Sequence, residues 1–164
     1  MADLSGKAIV ITGGNTGIGK EAAVALAGRG AQVVITSRNE ERGRAARQEI
    51  AERSGNDSVD VMPLDLASFR SIRSFAADAL DRFDHLDVLV NNAGLILYRR
   101  AETQEGFEET FGVNHLGHCL LTDRLLERLG ENEQVLVGTC GVLTAAARAG
   151  LGIAPAGEWL LDNF

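Results

Sequence analysis

The stretch Thr12-Gly13-Gly14-Asn15-Thr16-Gly17-Ile18-Gly19 constrains this chain more than any other. It lies between an apolar run, Ala8 to Thr12, and a segment with helical spacing at Ile18, Ala22, Ala25 and Leu26. Glycines at such a junction let the backbone turn tightly and come close to a ligand, while the N-terminus of the following helix offers unpaired N–H groups and positive dipole to a phosphate. Glycine-rich turns also serve as plain turns. Here strand, turn and helix all fall where a dinucleotide phosphate would need them.

Four more short apolar runs follow: Gln32 to Thr36, Val59 to Leu64, Val88 to Asn91 and Val135 to Val137. They alternate with helical patterns, as in βαβ units building a parallel sheet buried on both faces. An α/β, doubly wound fold of about five strands is the expectation. The strongest helix signal is Phe69, Ile72, Phe75, Ala76, Ala79, Leu80 and Phe83, one apolar stripe at helical spacing. The first helix should end near Gly28 and Gly30, residues suited to a helix C-terminus. Leu116, Leu120, Leu121, Leu125, Leu126 and Leu129 mark a further helix before the fifth strand.

The character changes near residue 140. From Gly141 to Phe164 ten of 24 residues are Ala or Gly, only Arg148, Glu158 and Asp162 are charged, and Pro155 interrupts regular structure. We therefore divide the chain into a dinucleotide-binding Rossmann domain, 1–140, and a divergent tail, 141–164. Trp159, Leu160, Leu161 and Phe164 in that tail fit either packing on the domain's own surface or contact with a partner.

Composition excludes several functions. With 16 Lys+Arg against 23 Asp+Glu the net charge is −7, opposite to the basic balance of a general nucleic-acid binder. No apolar run approaches the ~20 residues that span a bilayer, and the first residues do not resemble a signal peptide, so no membrane association and a cytoplasmic location are expected. Cys119 and Cys140 form no C-x-x-C and read as free thiols. His115 and His118 stand at helical spacing, but no acid or cysteine completes a ligand set around them. No metal is expected there, and they read as surface or packing histidines.

The end of the second strand addresses which dinucleotide. Sites that hold NAD place an acid about 20 residues after the glycines to bond the ribose 2′-hydroxyl. This chain has Thr36-Ser37-Arg38-Asn39 instead. Arg38 is suited to a bidentate grip on a 2′-phosphate and Ser37 to an added hydroxyl, which favours NADP(H) over NAD(H). Arg38 equally fits a solvated loop.

Together these segments resemble the short-chain dehydrogenase/reductase family. Thr12 to Gly19 fits its T-G-x-x-x-G-x-G fingerprint, Asp65-Leu66 follows the third strand, Asn91-Asn92-Ala93-Gly94 follows the fourth, and Val113-Asn114-His115-Leu116-Gly117-His118 comes next after Gly106-Phe107-Glu108. With Asn15-Thr16-Gly17-Ile18-Gly19-Lys20-Glu21, that last stretch is most similar to the retinol-dehydrogenase-like branch. The resemblance covers residues 5 to about 140 and implies a Rossmann-like sheet with strand order 3-2-1-4-5.

It also implies roles. Asp65 would contact the adenine amino group with Leu66 beside the ring, and Asn91, Ala93 and Gly94 would line the cofactor together with Gly13, Asn15, Thr16, Gly17, Ile18 and Gly19. Asn114 would be the active-site asparagine that kinks its helix and helps hold a water in the proton relay. Taken singly, Asp65 also fits a helix N-cap, Asn91 to Gly94 a turn, and Asn114 an ordinary cap. Cys140 stands at the position of the family's serine, with Thr139 just before it, and cysteine is the poorer donor.

The rest of the family's active site is not found. An ordinary tyrosine, with a pKa near 10, is a poor base at pH 7, and the family lowers it with a lysine in Tyr-x-x-x-Lys. No such motif occurs here: Tyr98 is the single tyrosine, and the two lysines are Lys7 and Lys20. In this branch the tyrosine is expected around or beyond residue 164. The expectation is a truncated or degenerate NADP(H)-binding oxidoreductase of small alcohols and carbonyls, lacking the family's C-terminal strands and inactive alone. A non-catalytic dinucleotide-binding or protein-interaction module is the alternative. Without the later strands, the leucines of residues 116 to 129 are expected to be exposed, for self-association or docking with another chain.

Overall fold

The apolar runs of the sequence form a single parallel sheet in the computed structural model, which describes residues 3–126, 128–129 and 134–137. The strands are β1 (Ala8–Ile11), β2 (Gln32–Ser37), β3 (Val59–Pro63), β4 (Val88–Asn91) and β5 (Gln134–Val137), in the order β3-β2-β1-β4-β5. Every pairing is parallel, with Val10 opposite Val34 on one side of β1 and opposite Leu89 on the other. The chain runs outward from β1 through β2 to β3, then returns to the far side of β1 as β4. The cleft between the carboxyl ends of β1 and β4 is therefore the switch point at which doubly wound sheets bind ligands.

Strand periodicity divides the core into two layers. Ile9, Ile11, Val33 and Ile35 point to one face and pack with Ala23, Leu26, Ala46 and Ile50 of helices α1 (Gly17–Ala27) and α2 (Glu40–Ser54). Val10 and Val34, one residue out of step, point to the other face. There they meet Ile72, Phe75, Ala76 and Ala79 of α3 (Phe69–Arg82) and Leu121 and Leu125 of α5 (His118–Leu125). A three-residue helical turn, α4 (Glu109–Phe111), and a π-helical segment, Gly112–Gly117, lead directly into α5.

The structure gives α1 the end expected of it. Gly28 is the cap residue and Gly30 supplies the positive φ, +90°, that turns the chain toward β2. Helix α2 carries too weak an apolar stripe to be placed from periodicity, because its buried face is small: Gly43, Ala46, Ile50 and Ala51 amid charged residues.

The leucine face expected to be exposed is corrected. Leu121, Leu125 and Leu129 are fully buried in the core that α5 shares with α3, and Leu120 is half-buried against it. The expectation assumed that this helix waits for later strands to cover it, whereas α3 already does so. Among the described residues no helix is long and apolar enough to cross a membrane. The tail 141–164 lies outside the described residues.

Candidate functional site

A cleft of about 860 Å³ opens at the carboxyl ends of β1, β2 and β4. Its first wall is the glycine turn. Gly13 has φ +64°, and a side chain there would press on Ala93, with Cβ only 3.0 Å from the alanine Cβ. Gly17 also has positive φ, +55°, but nothing lies within 4 Å of where its Cβ would stand, so its backbone faces open space. A Cβ at Gly19 would strike the Asn92 side chain, which keeps the first turn of α1 close to the end of β4.

The N-terminus of α1 differs from those of its neighbours. Asn39 caps α2 by accepting from the Arg42 N–H at 2.8 Å, and Ser68 caps α3 by accepting from the Ser71 N–H at 3.4 Å. Thr16, the cap residue of α1, makes no such bond, and the first turn holds no acid. The amides of that turn, beside Asn15, Thr16, Gly17, Ile18 and Gly19, are left to the cleft. They form a donor set suited to a phosphate.

The second wall is the loop after β2. Ser37, Arg38, Asn39 and Arg42 line it, and no carboxylate does. The Ser37 hydroxyl donates to the Asn39 carbonyl at 2.8 Å and accepts from the Asn39 N–H at 3.2 Å. The hydroxyl thus shapes the loop from within the cleft wall. Arg42 was missed in the sequence because α2 was not placed. Once Asn39 is the N-cap, Arg38 and Arg42 flank the first turn of α2.

The third wall joins Asp65 and Leu66 to the segment after β4. Asp65 does not cap α3, since Ser68 does; its carboxylate accepts from the Ala67 N–H at 3.0 Å in a local turn, and its own N–H donates to the Ser71 hydroxyl at 2.9 Å. Asn91 is the last residue of β4, not part of a turn. Its amide donates to the Thr122 hydroxyl at 3.1 Å, and its buried Oδ1 has no partner among the described residues. Ala93 and Gly94 complete this wall beside Leu95 and Ile96.

Asn114 is buried within the π-helical segment, a form often found at functional sites. Its Oδ1 accepts from the Leu95 N–H at 2.9 Å and its Nδ2 donates to the Leu95 carbonyl at 2.7 Å, so both ends of the amide hold the strand that leaves β4. Asn114 is therefore no ordinary cap. Deeper still, Thr12 and His118 meet beneath the cleft. The His118 ring is buried, and burial pushes its pKa down to about 4 although a bond to the Asn114 carbonyl opposes this, so it is neutral at pH 7. Neither Thr12 nor His118 was singled out by the sequence as a partner of the other. His115, by contrast, stacks on Phe111 with ring centroids 5.1 Å apart.

The structure thus brings every described candidate to one cleft; Cys140 lies outside the described residues. The two lysines and the tyrosine do not come together as a proton-transfer pair. Lys7 precedes β1 at the opposite end of the sheet and pairs with Asp87 at 2.6 Å, while Lys20 pairs with Glu49 of α2 at 2.7 Å. Tyr98 is fully exposed in the segment after β4. Among the described residues no three His, Cys, Asp or Glu gather as a metal site.

A glycine-cradled helix N-terminus at the switch point of a 3-2-1-4-5 sheet defines a dinucleotide-type Rossmann site. The chain belongs to the short chain dehydrogenase family, whose model matches residues 7–151. It is 50% identical over 129 residues to mouse (Mus musculus) retinol dehydrogenase 11, an alignment covering 79% of this chain and 41% of that protein. The chain thus spans about two fifths of the length of such relatives. Among solved structures, an alcohol dehydrogenase from Thermococcus sibiricus complexed with 5-hydroxy-NADP superposes with a TM-score of 0.69 at 33% identity, covering 81% of this chain and 57% of that one. A metagenomic short-chain oxidoreductase in complex with NADP gives 0.73 at 29% identity, over 84% and 64%.

Proposed function

We propose that this chain binds NADP(H) in the cleft, and that these 164 residues bind it without turning over an alcohol or carbonyl substrate by themselves. The observation that carries the first part is a pairing: an uncapped α1 N-terminus at one wall, and at the other two arginines, Arg38 and Arg42, where no acid stands. The helix end suits the pyrophosphate. The arginines suit the additional 2′-phosphate, and a ribose-binding carboxylate that would disfavour it is not in the cleft wall they share. Solved relatives bound to NADP and to 5-hydroxy-NADP support the same reading.

When bound, the nicotinamide supplies a hydride to a carbonyl or takes one from an alcohol. What the chain's own residues do is bind and orient. Gly13 and Gly19 bring the backbone close, Asp65 and Leu66 would hold the adenine, and Asn114 fixes the strand beside Ala93 and Gly94. No residue pair in this sequence matches the proton-transfer tyrosine with its lysine: the chain has no Tyr-x-x-x-Lys, and Lys7 and Lys20 are engaged elsewhere. Alcohol–carbonyl interconversion is thus assigned to a polypeptide that also carries that pair.

Two measurements on the same preparation test this. Quenching of protein fluorescence should report saturable NADPH binding, while absorbance of the nicotinamide shows no turnover with a panel of aldehydes, ketones and retinoids. Robust turnover would overturn the second half of the proposal and demand another proton donor. Failure to bind either dinucleotide would overturn the first.

A further inference from the structure

Thr12 and His118 are 106 positions apart in sequence, yet Thr12 Oγ1 and His118 Nε2 are 3.0 Å apart with both side chains buried. The other ring nitrogen, Nδ1, lies 3.2 Å from the Asn114 carbonyl oxygen. A carbonyl only accepts, so Nδ1 carries the hydrogen. In the neutral ring Nε2 is then a bare acceptor, and the Thr12 hydroxyl donates to it.

That assignment fixes the rest of the hydroxyl. Its two lone pairs receive two backbone donors, the Asn92 N–H at 2.9 Å and the Ala93 N–H at 3.0 Å. The Val90 carbonyl, 3.3 Å from the same oxygen, competes for the single hydroxyl hydrogen, and His118 accepts it at the shorter distance. Each hydrogen and lone pair of Thr12 is thereby used. The end of β1 is joined to the turn after β4, and both are joined to the helix that carries Asn114. Asn92 adds a further tie, its side-chain amide donating to the Thr12 carbonyl at 2.9 Å.

We infer that His118 is a positioning residue for the cleft: by accepting the Thr12 hydroxyl hydrogen it holds Thr12 in the orientation that fixes the glycine turn against Asn92 and Ala93. The role rests on the reading of the cleft as a dinucleotide site, whereas the hydrogen-bond assignment stands without it. Removing the acceptor frees the hydroxyl to turn toward Val90, which leaves it poorly aligned for the two N–H groups that shape the cradle. A buried polar network of this kind is worth more than its separate bonds.

The test joins a spectroscopic and a binding readout on the full chain. Long-range 1H–15N correlation of labelled protein near neutral pH resolves the tautomer of each of the three histidines, with His118 assigned by its disappearance in His118→Gln. His118 should carry its hydrogen on Nδ1; hydrogen on Nε2, or on both nitrogens, overturns the assignment. NADPH titration should then show roughly tenfold weaker binding in His118→Phe. His118→Gln, whose amide oxygen reaches about as far as Nε2, should stay within about threefold of the wild type. In a Thr12→Val background the His118→Phe change should add little, because the bond is already gone.

Equal affinity of wild type and His118→Phe overturns the positioning role. If His118→Phe does not fold, His118→Asn, whose shorter amide does not reach Thr12, decides: binding roughly tenfold weaker than in His118→Gln supports the role and equal binding overturns it. Wild-type protein that carries the expected tautomer but binds no dinucleotide overturns the cofactor reading, and the positioning role with it.

Discussion

The outer and inner walls of the cleft do opposite kinds of work. At the outer wall, Arg38 and Arg42 are exposed and charged, and a guanidinium is suited to long-range attraction and bidentate contact. At the inner wall, Thr12, Asn114 and His118 are buried and neutral, and each is committed to backbone groups or to one another. On the proposed reading the outer wall distinguishes one dinucleotide from another and contributes little to folding. On the same reading the inner wall sets the shape that any dinucleotide must meet and supports the fold.

Four substitutions or conditions separate the two. The largest effect belongs to Thr12→Val, which strips the acceptor from the Asn92 and Ala93 N–H groups and the donor from His118. It should cost about 3 kcal/mol in urea unfolding and weaken NADPH and NADH alike, since the inner wall does not tell them apart. A cofactor-selective loss would break the comparison.

Acid comes next. The pKa of His118 is about 4 in the folded chain against 6.5 ordinarily, so the unfolded chain takes up the proton first and stability falls as pH drops from 6.5 toward 4. The group contributes its stability above that window and loses up to roughly 3 kcal/mol across it. Unfolding measured at stepped pH should show this slope in the wild type and lose it in His118→Gln. An unchanged slope in that variant would assign the acid sensitivity to other groups.

The outer wall answers differently. Arg38→Ala should cut the preference for NADPH over NADH by roughly tenfold while leaving the unfolding midpoint unchanged, as read by parallel titrations. Arg42→Ala, at a position exposed on the first turn of α2, should reduce the same preference by roughly threefold, and less at high salt. If either arginine variant destabilises the chain, the division between the walls fails.

What was legible in the sequence follows the same division. The glycine turn, Asp65, and Asn91 through Gly94 announce themselves through local spacing, because strand, turn and helix are short-range patterns, and the structure places them around one cleft. Helix α2 was not placed because its buried face offers Gly43, Ala46, Ile50 and Ala51 among charges, and without it Arg42 had no assigned place beside Arg38. The leucines before β5 were read as exposed because periodicity identifies an apolar face but not the element that covers it, here α3. From sequence alone His118 is no more than a surface or packing histidine. Its partner is 106 residues away, and no local pattern connects a strand-end threonine with a helix histidine. The π-helical segment at Gly112–Gly117 is equally silent in sequence, since its period differs from an α-helix over too few residues to register.

Whether the cleft accepts the extra phosphate of NADP(H) is decided by paired dissociation constants for NADPH and NADH on the wild-type chain at one salt concentration. NADPH should bind tighter than NADH by roughly tenfold or more. Equal or tighter binding of NADH would contradict it.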